Sequence, residues 1–133
     1  MSLALEFFAT DEAVADLEAV LARAQASGTE AERVAALVAV AWQMRQRDTQ
    51  RALALADEAQ CRLASADFCV AEKQRLGARL MLIRGEAKWL IGELDAGKAL
   101  TESTLQSFTQ TDDALGATDA HWLLAMIAID QND

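Results

Sequence analysis

The chain has 133 residues, 53% of them hydrophobic, with six glycines and neither proline nor tyrosine. That length suits one domain with a modest core, and that composition suits helix, because Ala, Leu, Glu, Gln and Arg lose little on entering one. Twelve bases against 21 acids leave a net charge of −9, which excludes a nucleic-acid surface built on surplus Lys and Arg. No apolar run reaches the roughly 18–20 residues of a membrane span.

Six helical segments are expected in chain order. Thr10 or Asp11 caps the first, which runs to about Ala26 with Leu17, Val20, Leu21 and Ala24 in one stripe. Gly28 suits a left-handed C-terminal cap and Thr29 caps the second helix, expected over residues 30–47. Residues 35–42 are apolar nearly all round, as in a helix packed between neighbours. Asp48 or Thr49 opens the third helix, over residues 50–64, and Ser65-Ala66-Asp67 breaks it. A long fourth helix covers residues 70–91 and stops at Gly92. The fifth covers residues 95–110, Thr111-Asp112-Asp113 breaks it, and the sixth covers residues 114–130. Connections this short make successive helices antiparallel neighbours.

The charge is unevenly placed. Up to Ala31 there is one base against six acids; residues 32–88 carry ten bases and seven acids; beyond Lys88 there is one base against eight acids. A basic middle with acidic ends suits a charge-steered protein contact, and equally a surface kept soluble by its net charge. On the fourth helix Arg75 and Arg79 share a face, as do Arg84 and Lys88. This run can dock an acidic segment or pair with Glu72, Glu86 and the neighbouring acidic helices.

No motif for chemistry is present. There is no Gly-rich phosphate loop, no Gly-x-Ser-x-Gly and no Gly-Gly-Asp/Glu-Glu-Phe. Cys61 and Cys69 do not make a disulfide framework and read as reduced, half-buried thiols. A single histidine, His121, gives no metal set and reads as a packed residue with one hydrogen bond. The expectation is a non-enzymatic chain with no cofactor and no metal. The start, Met1-Ser2-Leu3, lacks the basic region of a signal peptide, and a cytoplasmic location follows as the expectation.

A repeat underlies the pattern. Trp42-Gln-Met-Arg-Gln-Arg-Asp48 is followed by a helix beginning Thr49-Gln-Arg-Ala-Leu; Ala87-Lys-Trp-Leu-Ile-Gly-Glu93 is followed by Leu94-Asp-Ala-Gly-Lys; and Ile127-Ala-Ile-Asp-Gln-Asn-Asp133 ends the chain. The acidic turn residues at 48, 93 and 133 give a period of 45 and then 40, the scale of an α-solenoid made of helical hairpins. The third hairpin has only its first helix. This points to a fragment of a longer protein, or to a subunit that covers its open end by pairing through the last helix as a homodimer.

These residues resemble the tetratricopeptide (TPR) repeat in its longer bacterial form. The likeness lies in the helix–acidic turn–helix order, in Ala52 and Ala59, in Gly85 and Gly92, and in Leu100, Leu105 and Phe108 as packing residues. Gly97 stands at the small position of the second unit. Arg47 and Asn132 replace the turn glycine, and Val40 and Ala125 replace the glycine of the helix crossing. The resemblance implies an all-α, right-handed superhelix of about two and a half hairpins, as a single domain over residues 1–133, with residues 11–26 as the second helix of a degenerate preceding unit. It implies a concave, groove-facing set: Leu37, Ala41 and Met44, then Arg79, Leu82, Glu86 and Trp89, then Trp122, Met126 and Ile129. Such a groove accepts an amphipathic helix or apolar peptide, anchored by Trp89 and Trp122. Equally, these residues form a core. Relatives that clamp acidic chaperone tails use several basic groove residues, and Arg79 alone does not make that clamp.

Residues 42–59 and 119–125 are also similar to repeat regions that precede GGDEF-type diguanylate cyclase domains. The implied role is a protein-interaction scaffold in the regulatory part of a larger bacterial signalling protein. A repeat ahead of a transcription regulator or histidine kinase reads the same way. A third alternative is a small-molecule sensor with its ligand beside Trp89 and Trp122.

Overall fold

The computed structural model describes residues 5–132, and within them the chain is all-helical, with six helices and no strand. They are α1 (Asp11–Ser27), α2 (Glu30–Met44), α3 (Thr49–Leu63), α4 (Val70–Leu90), α5 (Leu94–Gln110) and α6 (Ala114–Gln131). The chain divides into two compact units, Met1–Cys69 and Val70–Asp133. Among the described residues no helix is long and apolar enough to cross a membrane.

The first unit is α1, α2 and α3. Thr10 caps α1, its hydroxyl accepting from the Ala13 N–H at 3.1 Å. Thr29 and Glu32 form a capping box at the start of α2. The Thr29 backbone N–H and hydroxyl hold the Glu32 carboxyl below the ordinary carboxylate range. Gly28 does not adopt the expected left-handed cap; its φ is −81° and it is extended. What requires glycine there is space, because a Cβ would lie 2.8 Å from Ala24 Cα and 2.9 Å from its carbonyl oxygen.

Residues 36–45 of α2 and its cap are buried on every side, which fits their continuous apolar run. The helix ends at Met44, three residues before the expected end at Arg47. Arginine side chains replace a glycine cap here: Arg45 donates to the Trp42 carbonyl at 2.9 Å and Arg47 to that of Gln43 at 3.0 Å. α1 and α3 run parallel, tied by Arg51–Glu18 at 2.8 Å and Gln25–Glu58 at 3.1 Å. Both ties are exposed or part-buried and contribute little to stability.

The second unit is α4, α5 and α6. α4 and α5 cross where both are glycine: a Cβ on Gly97 would stand 3.1 Å from the Gly85 carbonyl, and one on Gly85 would stand 2.9 Å from Thr101 Oγ1. The two turns of this unit have one geometry. Gly92 closes the first with φ +83°, and Asp112 closes the second with φ +54°. Glu93 then donates its N–H to the Lys88 carbonyl, and Asp113 donates to that of Phe108, each at 2.9 Å. The space around Gly92 is empty, so Gly92→Ala is charged only for its left-handed backbone, about 1–2 kcal/mol. Asp112→Gly carries the opposite sign. Urea unfolding of both variants, followed by circular dichroism, checks the pair.

Candidate functional site

The ten residues expected to face a groove divide sharply by exposure. Leu37, Ala41 and Met44 are buried, as are Arg79, Leu82 and Glu86. These six are core and offer no side chain to a partner. Trp89, Trp122 and Met126 are half-buried, and Ile129 is 55% exposed. All four accessible positions belong to the second unit, on α4 and α6.

Their placement follows from how α6 packs. Gly116, Asp119, Ala120, Leu123 and Ile127 form its buried stripe at helical spacing. The other face is also apolar, with Leu115, Leu124, Ala125, Met126 and Ile129 exposed or half-buried. α4 and α6 run parallel and are joined at two levels. Near the middle, Arg79 donates to Asp119 Oδ2 at 2.6 Å, with both side chains buried. Towards the C-terminal ends, the Trp89 and Trp122 rings meet edge to face, with centroids 5.7 Å apart at 85°. Trp89 Nε1 donates to Asp130 Oδ2 at 2.6 Å. That bond leaves the Trp89 ring held on its polar edge and its apolar body against α6. Leu90 and Ile91, next in sequence, are 43% and 67% exposed. The C-terminal end of α4 carries Trp89 and Leu90, with Ile91 directly after it, and the facing part of α6 carries Trp122, with Met126 and Ile129 further along the same face at helical spacing.

Arg79 cannot serve a carboxylate clamp. Its guanidinium is taken by Asp119 and lies 5.2 Å over the Phe108 ring. Elsewhere in the basic run Arg75 pairs with Glu72 at 2.7 Å and Lys88 with Glu93 at 2.9 Å, so these charges are spent within the unit. His121 is exposed rather than packed, because it falls opposite the buried stripe of α6. Cys61 and Cys69 are exposed free thiols, not half-buried ones, one on the outer face of α3 and one in the segment before α4.

Among the hollows on the described surface, two lie away from the tryptophans. One of about 320 Å³ is lined by Val20, Arg23, Ala24, Ser27, Gly28 and Glu32. The other, about 270 Å³, is lined by Phe108, Thr109, Asp112, Asp113, Ala114 and Ala117. Among the described residues no group of His, Cys, Asp and Glu is placed to hold a metal ion.

Sequence reasoning missed one set of contacts altogether. Residues 5–10 cross the C-terminal end of α2 and are held there by Trp42, Gln43, Arg45 and Arg47. The available signal was the adjacent pair Phe7-Phe8 in a chain with four phenylalanines.

Comparison with protein-family models, with curated proteins and with solved structures gives no match for this chain.

Proposed function

We propose that the chain is a protein-interaction scaffold of TPR-like hairpins, and that the shared end of α4 and α6 is its docking surface. The observation that carries this is the half-buried Trp89–Trp122 pair, continued along the Trp122 face of α6 at helical spacing by half-buried Met126 and exposed Ile129. Large apolar side chains gathered at one place, with tryptophan among them, are the composition of an interface hot spot. The parallel pairing of α4 with α6 supports the repeat reading. Arg79 meets Asp119 and Trp89 meets Asp130, offsets of 40 and 41 residues against the expected period of 40. The close Gly85–Gly97 approach supports it too, since the repeat places small residues where its two helices cross.

The preferred occupant is an amphipathic helix that lays its apolar face on this surface. A role ahead of a diguanylate cyclase domain rests on the likeness of residues 42–59 and 119–125 alone.

Peptides selected from a displayed library of amphipathic helices test this. Selected binders are expected to lose about 2 kcal/mol, some thirtyfold in affinity, on Trp122→Ala, and a comparable amount on Ile129→Glu. Binders indifferent to both changes would remove this surface from consideration. A dimer seen by light scattering and broken by Ile129→Glu would make a second copy the occupant.

A further inference from the structure

The first unit holds a second, separate recognition feature, independent of the α4–α6 reading. Residues 5–10 are irregular, with a bend at Phe7 and Phe8, and lie across the end of α2. What holds them is mostly their backbone. Gln43 Nε2 donates to the Glu6 carbonyl at 2.7 Å, and Gln43 Oε1 accepts from the Ala9 N–H at 3.0 Å. A β-turn joins the carbonyl of its first residue directly to the N–H of its fourth. Here the Gln43 amide is inserted between those two groups and satisfies both. Trp42 Nε1 adds a second donor to the Glu6 carbonyl at 2.9 Å, and Arg47 donates to the Ala9 carbonyl at 2.6 Å.

The two central side chains are read by Arg45. Its guanidinium carbon lies 4.6 Å from the Phe7 ring centroid, 4.7 Å from that of Phe8 and 3.7 Å from that of Trp42. Arg45 and Trp42 are buried, Phe7 is half-buried and Phe8 is 53% exposed, and cation–π contacts of this kind favour aromatic residues over aliphatic ones. Ala9, the fourth residue, is buried.

A helix end that needs only a lid is covered by leucine and alanine at no polar cost. Gln43, Arg45 and Trp42 are instead each at most 2% exposed, and Gln43 and Trp42 spend polar groups on another segment's peptide bonds. Backbone-directed bonds with pockets for selected side chains are how proteins read short peptides.

We propose that the C-terminal end of α2 is a docking site for a four-residue turn with two adjacent aromatic residues followed by a small one, and that residues 6–9 fill it in cis as a built-in competitor. A partner segment of the same pattern docks by displacing them. Its apparent affinity is lowered by the fraction of time the cis segment leaves the site free.

A capped peptide spanning residues 5–11 is the probe, labelled for fluorescence anisotropy. Phe7→Ala/Phe8→Ala weakens the cis segment while leaving α2 unchanged, and is expected to bind the peptide at least about tenfold more tightly than the unaltered chain does. Adding Gln43→Ala to that variant is expected to remove the gain, and a scrambled peptide is expected not to bind. A variant that stays helical yet shows no binding at millimolar peptide, or binds the scrambled sequence equally, overturns the proposal. The unaltered chain supplies a second readout that needs no substitution. Millimolar peptide is expected to speed hydrogen exchange at the Ala9 amide, and an unchanged rate overturns the proposal as well.

Discussion

Asp119→Ala is expected to destabilise the second unit by about 3–5 kcal/mol, the cost of leaving one partner of a buried ion pair behind. Arg79 and Asp119 are 2% and 5% exposed, and their 2.6 Å bond joins α4 to α6. Once the carboxylate is gone, the buried Arg79 guanidinium over the Phe108 ring loses the counter-charge that α6 supplies. The double variant Arg79→Met/Asp119→Leu separates the penalty of an orphaned charge from the net value of the pair. Two hydrophobic side chains of similar volume remove both desolvation costs together, and such replacements are often neutral or stabilising by about 1–4 kcal/mol. Urea unfolding monitored by circular dichroism gives both numbers, and the difference between them reports the penalty of leaving the Arg79 charge behind. A single variant that loses less than about 1 kcal/mol would show that water reaches the pair.

The helices were legible because each signal acts locally. Thr10, Thr29 and Asp48 cap α1, α2 and α3, and the backbone N–H each one satisfies lies three residues on. The apolar run of α2 correctly announced a helix buried all round. Where sequence reading failed, the deciding partner lay far along the chain. Gly28 is glycine because of the Ala24 backbone beside it and not because of its own φ. Arg79 looks like a free basic residue until α6 returns 40 residues later with Asp119. Gln43 and Arg45 look like a polar helix end until residues 6–9 are laid over them. The site was half legible for a related reason. Helical spacing put Leu82, Glu86 and Trp89 on related turns, but it carries no depth. The structure buries Leu82 and Glu86 and leaves Trp89 half open.

Phe108→Ala is expected to cost about 3–5 kcal/mol, as large a loss as the ion pair and by a different route. Phe108 is fully buried on α5, with Gly116 of α6 on one side and the Arg79 guanidinium on another. Its ring lies so close to Gly116 that a Cβ there would stand 2.4 Å from Cδ1 and 2.5 Å from Cε1. Two opposed terms therefore govern Gly116→Ala. Helix propensity favours alanine by about 1 kcal/mol, while forcing the ring aside costs about 1–3 kcal/mol. A ring fixed between α4 and α6 has little room to move, so a net loss is expected. The variants test each other: with Phe108 already alanine, the space beside position 116 is open, and Gly116→Ala becomes stabilising by its propensity alone. That reversal of sign, read from the four unfolding curves of a double-mutant cycle, identifies the close ring as the reason α6 carries glycine there. An equal cost of Gly116→Ala in both backgrounds would assign the glycine to some other constraint.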